Sequence, residues 1–129
     1  MKMSRGGTFA QTKVLGRLIG ANMNITTDQA ISINLEAGTK YVIEKIIVTN
    51  ASANLTLAAG GVYTAAAKGG SAVVAAAQVY SALSSSALFL SLTLAIATTV
   101  RTESPLYLSL TTGQGAAATA DVYVIGYVL

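Results

Sequence analysis

Apolar and polar residues alternate along much of the chain with a period of two. The alternation is clear in four segments, residues 31–35, 88–94, 106–110 and 122–128. Successive side chains of a β-strand point to opposite faces of its sheet, so such alternation indicates half-exposed antiparallel strands. The pattern therefore predicts an antiparallel β fold.

Short polar segments rich in Gly, Asn, Ser and Thr separate the alternating runs. Such segments are typical of turns, and strands at this spacing are typical of a sandwich or a barrel. We therefore expect an all-β fold, an antiparallel, jelly-roll-like β-sandwich of about eight strands. The predicted strands lie near residues 13–19, 29–35, 41–49, 54–59, 71–79, 87–95, 105–111 and 120–129.

Residues 65–83 allow two interpretations. The segment is rich in Ala, the residue with the highest helix propensity, and its apolar side chains from Val73 to Tyr80 have helical spacing. However, Gly69 and Gly70 interrupt the segment, and its Val and Tyr residues favour strand. We favour a strand here and keep a helix as the alternative.

The composition excludes several classes of protein. Hydrophobic residues make up 53% of the chain and charged residues 10%, whereas disordered chains have few apolar and many charged residues. The chain has no His, Cys or Trp, and its acidic residues are scattered. His and Cys supply most zinc, haem and iron–sulfur ligands and much acid–base chemistry. We therefore expect that the chain is not an enzyme, and that it has no catalytic or cofactor-binding residues, no metal site and no cofactor.

The positive charge is concentrated at the N-terminus. Residues 1–17 hold four basic and no acidic residues, whereas residues 18–129 hold four basic and five acidic ones. We expect a flexible basic arm over residues 1–12, anchored by Phe9, and a single β-sandwich domain over residues 13–129. The body has no basic cluster for nucleic acid and no run of about 20 apolar residues for a membrane. The candidates for partner contact are Lys2, Arg5, Phe9, Lys13 and Arg17.

Several short motifs resemble binding or catalytic signatures without completing them. Residues 113–115 (GQG) lack the third Gly and the βαβ unit of a dinucleotide-binding loop, so we interpret them as a hairpin turn. Residues 60–71 contain Gly and Lys in the wrong order for a phosphate-binding loop, which places Lys68 at a loop tip. A catalytic Ser–Lys dyad formed by Lys68 and Ser71 is an alternative that the sequence leaves open. The nearest approach to a calcium loop is formed by Asn22, Asn24 and Asp28.

Several phrases of the sequence resemble small virion proteins of tailed bacteriophages. These phrases are residues 48–56, 58–71 (AAGGVYTAAAKGGS), 80–83, 106–110 and 121–124. The resemblance covers roughly residues 14–129 and lies in repeated short phrases, without a catalytic motif. Proteins of this kind are capsid cement (decoration) proteins, or head and tail fibre components, built on β-sandwiches.

The resemblance implies a structural virion protein on the phage capsid surface, made in the host cytoplasm. We expect a capsid cement protein that forms a homo-oligomer, a homotrimer, on the major capsid protein or other virion proteins and stabilises the shell. A core of small residues buries little area per side chain, which also favours oligomerisation. One alternative is a fibre, neck, collar or tail component. Another is a carbohydrate-binding receptor module that uses some of the six tyrosines, and a small hydrolase is the third class.

Overall fold

The computed structural model describes residues 11–87, 89–96 and 99–129, and these residues form an all-β structure without a helix. The alternating segments form strands because they place apolar side chains on one side of a pleated backbone. The strands are β1 (Lys13–Asn22), β2 (Gln29–Ile33), β3 (Tyr41–Thr49), β4 (Ala59–Ala65), β5 (Gly69–Val74), β6 (Phe89–Ser91), β7 (Val100–Arg101), β8 (Leu106–Thr112) and β9 (Thr119–Val128).

The strands form one antiparallel sheet that curls into a half-barrel. Its order is β5-β4-β8-β2-β1-β9-β3-β6, and the two-residue strand β7 pairs with β3. We call β1, β9, β3 and β6 the first row, and β2, β8, β4 and β5 the second row. Strand β2 joins the rows, because Ser32 and Ile33 pair with β1 whereas residues 29–31 pair with β8.

The segment after β6 connects the two ends of the sheet. The amide of Leu92 donates a hydrogen bond to the carbonyl of Ile46 in β3, at 2.8 Å. The amide of Ala95 donates to the carbonyl of Val73 in β5, also at 2.8 Å. The segment that continues from β6 therefore contacts β3 of the first row and β5 at the far end of the second row, and the curled sheet encloses its core.

The core consists of the inward-facing side chains of both rows. Val122 and Val124 from β9 and Leu106, Leu108 and Leu110 from β8 are fully buried and belong to one continuous hydrophobic cluster. The alternation predicted for residues 106–110 and 122–128 is therefore confirmed over Leu106, Leu108, Val122 and Val124. Leu110 continues the same inward phase.

The strand predictions differ in accuracy along the chain. The bounds predicted for residues 41–49 agree with β3, and the strands predicted near both ends agree with β1 and β9 to within a few residues. The strand predicted near residues 54–59 is wrong, because the strand begins only at Ala59. Leu55 lies in the preceding loop, where it is fully buried and its amide donates to the carbonyl of Leu83. A loop residue that fills the core has the same apolar character as a strand residue.

Three other predicted strands are shorter in the structure. The strand predicted over residues 29–35 is β2, which ends at Ile33. The strand predicted over residues 71–79 is β5, which ends at Val74, and a turn follows in which Gln78 donates to the carbonyl of Ala75. The strand predicted over residues 87–95 is reduced to β6. Strand rather than helix is confirmed for Gly69–Val74, and the described part of residues 65–83 contains no helix. Strand β7 has no counterpart in the prediction.

Candidate functional site

The first row presents a second, outward side to solvent. In β9, Val122 and Val124 point into the core, so Tyr123 and the alternate residues point outwards. Residues paired directly across an antiparallel ladder lie on the same side of the sheet. Tyr123 pairs with Arg17 of β1 and with Ile47 of β3, so these three side chains form a row across the outward side.

This outward surface is rich in apolar side chains, and we call it the outer face. Phe89 is 60% exposed, Ile19 57% and Val14 49%, whereas Ile47, Tyr123 and other neighbours are half-buried. These three side chains lie at the edges of the surface around the half-buried Ile47 and Tyr123, which makes the surface a candidate for interaction. The outer face comprises Val14, Arg17 and Ile19 of β1, Asp121, Tyr123 and Ile125 of β9, Lys45, Ile47 and Thr49 of β3, and Phe89 and Ser91 of β6.

The dimensions of the outer face follow from its strands. Four strands about 4.8 Å apart and three rows of side chains about 6.8 Å apart span roughly 14 Å in each direction. The resulting flat area of about 200 Å² is smaller than the roughly 800 Å² that each partner contributes to a standard protein interface. The outer face therefore has the size of the centre of an interface rather than of a whole one.

The charges on the outer face are unequal in what they contact. The side chains of Arg17 and Lys45 have no hydrogen-bond or ion-pair partner among the described residues, where the one ion pair joins Arg101 and Glu103 at 3.3 Å. Asp121, in contrast, accepts hydrogen bonds from the amide of Gly20 at 2.8 Å and from the Asn50 side chain at 3.1 Å. The two basic side chains on this surface thus have no contact within the described chain, whereas the Asp121 carboxylate keeps its charge and is held in place by two neutral donors.

Two of the five predicted contact residues lie at or beside the outer face. Arg17 lies on it, and Lys13 is exposed at the start of β1. The Thr12 hydroxyl donates to Oε1 of Glu44 in β3, so the chain enters β1 from the neighbourhood of this face. The other three candidates, Lys2, Arg5 and Phe9, lie outside the described residues.

The second row has an outward side that the chain itself covers around Ser109. Ser109 of β8 points outwards, since Leu108 and Leu110 point inwards, yet it is fully buried. Nζ of Lys68, in the turn between β4 and β5, donates to Oγ of Ser109 at 2.9 Å and to the carbonyl of Thr26 at 3.0 Å. Asp28 accepts from the amide of Ala67 at 2.7 Å. We call Thr26, Asp28, Ala67, Lys68 and Ser109 the Lys68 cluster.

The Lys68 cluster holds a turn in an unfavourable backbone conformation. Ala67 and Lys68 have φ values of 57° and 58°, in the left-handed region that disfavours residues with a Cβ. The hydrogen bonds of the cluster compensate for that cost. The Ala67 amide, the Ser109 hydroxyl and the Lys68 charge, in decreasing order of effect, lower the pKa of Asp28; burial acts in the opposite direction.

These contacts correct two sequence interpretations. Lys68 does lie in a turn, but its ammonium group folds back onto β8 instead of standing free at a loop tip. The Ser–Lys pair that forms is Lys68 with Ser109, not with Ser71. In this pair the ammonium group donates to a hydroxyl that solvent does not reach, an arrangement that satisfies a buried polar group.

The calcium-like pattern does not gather its oxygen atoms around one point. Oδ1 of Asn22 accepts from the amide of Asn24, Oδ1 of Asn24 accepts from the amide of Gly115, and Asp28 accepts from Ala67. Each side chain thus bonds a different backbone amide. Within residues 11–87, 89–96 and 99–129, no group of three or more acidic residues is placed to hold a metal ion.

The interpretation of residues 113–115 as a hairpin turn is wrong. Strands β8 and β9 are not paired, because they belong to different rows, so this loop crosses from one row to the other. Gln114 fixes the loop: its Oε1 accepts from the amides of Leu57 at 2.9 Å and Ala58 at 3.2 Å. The sequence offers no local signal for this role, since the bonded residues are more than fifty positions away.

The tyrosines divide into buried and outward-facing groups. Tyr41, Tyr63 and Tyr80 are buried. The Tyr80 hydroxyl donates to the carbonyl of Gly60 at 3.0 Å, and burial raises the pKa of Tyr80. Burial likewise raises the pKa of Tyr41 to about 12. Tyr123 is the tyrosine of the outer face.

A shallow cleft lies beside the turn that follows β5. Its volume is about 360 Å³. The side-chain amide of Gln78 lies at the wall of the cleft and is already engaged. Its Oε1 accepts from the backbone amide of Thr93, and its Nε2 donates to the carbonyl of Val79. The remaining lining is mostly alanine, so the cleft presents little chemistry to a ligand. The lining residues are Ala75, Ala77, Gln78, Val79, Thr93 and Ala95.

Comparisons with known protein families, with curated proteins and with solved structures find no match to this chain. In the described part of the chain, no helix has the length and apolar character required to cross a membrane. The outer face combines exposed apolar side chains with two unpaired basic side chains, and we take it as the candidate functional site.

Proposed function

We propose that the chain is a non-enzymatic structural protein of a tailed-phage virion, a capsid cement protein that stabilises the shell from its outer surface. The observation that carries the proposal is the outer face, where Phe89, Ile19 and Val14 are about half exposed or more around the half-buried Ile47 and Tyr123. Apolar and tyrosine side chains on a flat sheet gain free energy when another protein covers them. The sequence resemblance to small virion proteins supports the same function.

The order of strand pairing supports a jelly-roll interpretation of the fold. If the two-residue β7 is left out, the first strand pairs with the last, the second with the seventh, the third with the sixth, and the fourth with the fifth. A long antiparallel ribbon of four strand pairs that rolls up on itself has this pairing. Jelly rolls occur in viral capsid and lectin domains, so the interpretation agrees with a virion role without requiring it.

We further propose that the chain assembles as a homotrimer and that residues 1–12 add a second contact. The outer face covers roughly 200 Å², well below the roughly 800 Å² per partner of a standard interface. Additional contacts, from neighbouring copies and from the basic N-terminal residues, would supply the remaining area. Sedimentation equilibrium at micromolar concentration is expected to show trimers, and a stable monomer would contradict this part of the proposal.

The direct test of the function is the composition of particles. Particles of the phage that encodes the chain are purified and analysed by quantitative mass spectrometry. A copy number comparable with that of the major capsid protein supports a cement protein, and absence from the particles contradicts the proposal. Particles that lack the gene are expected to release their DNA at a lower temperature than wild-type particles.

The same measurement separates the alternative positions in the virion. A few copies per particle, matching the symmetry of the neck or tail, would assign the chain to the neck, collar, tail or fibre. A carbohydrate-binding module would present clustered exposed aromatic rings, but Tyr41, Tyr63 and Tyr80 are buried, and Phe89 and Tyr123 of the outer face lie two strands apart. No contact of the described residues favours the glycan-binding alternative or a hydrolase.

A further inference from the structure

We propose that the outer face binds a protein surface whose apolar centre is bordered by unpaired carboxylates, and that Arg17 and Lys45 select this partner. The inference rests on the proposed function only in locating that partner on the particle. Its argument comes from the charges of the face and from their positions among the apolar side chains.

Arg17 and Lys45 lie on either side of the apolar centre. Arg17 pairs with Tyr123 from the β1 side of β9, and Lys45 pairs with Ile125 from the β3 side. Two strand spacings separate β1 from β3, so the two cations are about 10 Å or more apart. Tyr123 and Ile125 occupy the space between them. A matching partner therefore has an apolar centre with an acidic group on each side.

Because both cations are unpaired, the charge of the partner surface facing them is expected to be negative. Neither side chain has an ion pair or hydrogen bond with a described residue. Burying an unpaired charge under a partner is costly, whereas a charge that meets an opposite charge aids specificity and the rate of association. A partner with acidic groups at these positions avoids the cost of burying the two charges, whereas a neutral or basic surface does not. The two cations therefore select against neutral and basic surfaces.

A second copy of the outer face does not have this chemistry. Its cations are the same, and its own carboxylate, Asp121, is held by Gly20 and Asn50. Glu44, beside the face, accepts from Thr12. Packing two outer faces together would bring four cations into one interface, where the nearby carboxylates, Asp121 and Glu44, already accept hydrogen bonds from their own chain. The partner surface is therefore a different one.

Nucleic acid matches the charges but not the remaining surface. Phosphate backbones attract clusters of Lys and Arg, whereas two separate cations here flank Ile47, Tyr123 and Ile125. Those apolar groups gain free energy from an apolar protein surface and gain little from a solvated phosphate backbone. A protein partner satisfies both parts of the face.

The test measures binding of the purified full-length chain to particles produced without its gene. Arg17→Glu and Lys45→Glu are compared with Lys40→Glu, which makes the same charge change at an exposed position before β3. We expect each outer-face variant to bind at least about ten-fold more weakly, with Lys40→Glu close to wild type. Circular dichroism and thermal unfolding establish that all variants are folded. Raising the salt concentration should weaken wild-type binding more than that of Arg17→Glu.

Each other outcome has a defined meaning. Equal binding by all three variants overturns the inference and leaves the proposed function standing. No binding of the wild-type chain, together with its absence from natural particles, overturns both. A dimer of the isolated chain that Tyr123→Asp dissociates would assign the face to a second copy. Binding of duplex DNA that is lost in Arg17→Glu would assign it to nucleic acid. Either of these last two results contradicts the inference.

Discussion

The two rows of the sheet differ most on their outward sides. On the second row, the Lys68 cluster folds over Ser109, which is fully buried, and its hydrogen bonds lie within the chain. On the first row, Phe89 is 60% exposed and Arg17 has no partner among the described residues. The chain itself therefore covers the outward side of the second row around Ser109, whereas it leaves the apolar and basic side chains of the outer face uncovered.

The difference separates stability from binding. Polar groups that are bonded inside one chain contribute to the stability of that chain. Apolar groups and unpaired charges on a surface contribute little until a partner covers them. Substitutions in the Lys68 cluster should therefore change unfolding, and substitutions on the outer face should change attachment. Three changes in the cluster test this separation, from the largest expected effect to the smallest.

Ser109→Ala should destabilise the chain by about 1–2 kcal/mol, because it removes a buried hydroxyl that accepts from a charged donor. Ser91→Ala, on the exposed outer face, is the matched control and should change stability by less than about 0.5 kcal/mol. Urea unfolding measures both variants. Equal effects of the two substitutions would contradict the separation, as would loss of particle binding in Ser109→Ala.

Ala67→Gly should stabilise the chain by about 0.5–1 kcal/mol, since Gly adopts a positive φ without the steric cost of a Cβ. Ala66 lies in the same turn and is not among the residues with positive φ. Ala66→Gly is therefore the control, and it should be neutral or destabilising because Gly increases the entropy of the unfolded chain. If Ala67→Gly is the less stable of the two, the strain assigned to this turn is wrong.

The smallest effect concerns the pH dependence contributed by Asp28. Hydrogen bonds from Ala67 and Ser109 lower its pKa in the folded chain from the ordinary value of 3.8. The folded state therefore gains stability from ionised Asp28 that is complete above 3.8 and is lost as the pH falls through the lowered pKa. Protection of the Ala67 amide against hydrogen exchange, relative to the intrinsic exchange rate at each pH, should fall over that range. Asp28→Asn should remove the pH dependence, and an unchanged profile in this variant would exclude Asp28 as the cause.

The sequence allowed the prediction of elements whose determinants are local. Alternation along residues 106–110 and 122–128 predicts β8 and β9 because inward and outward side chains differ in type. The apolar residues at both phases of β9, Val124 inward and Ile125 outward, were also visible in the sequence. They are the local signal for the outer face, since an outward isoleucine has no core to fill.

Features that depend on distant contacts could not be predicted in this way. Lys68 and Ser109 are 41 positions apart, so neither residue carries a local sign of the other. Leu55 is apolar, like the inward residues of a strand, but it fills the core from a loop. The crossing of residues 113–115 between rows depends on how the whole sheet rolls up, which turn composition does not determine.

The central claim is that the outer face, and not the second row, contacts the particle. The chain has no Cys, so a single Cys can be introduced at Ser91 on the outer face or at Ser71 on β5, both exposed positions. Maleimide labelling is then measured for each variant free in solution and bound to particles. We predict that binding protects the Cys of Ser91→Cys and leaves that of Ser71→Cys reactive. Protection of Ser71→Cys with continued labelling of Ser91→Cys would contradict the claim.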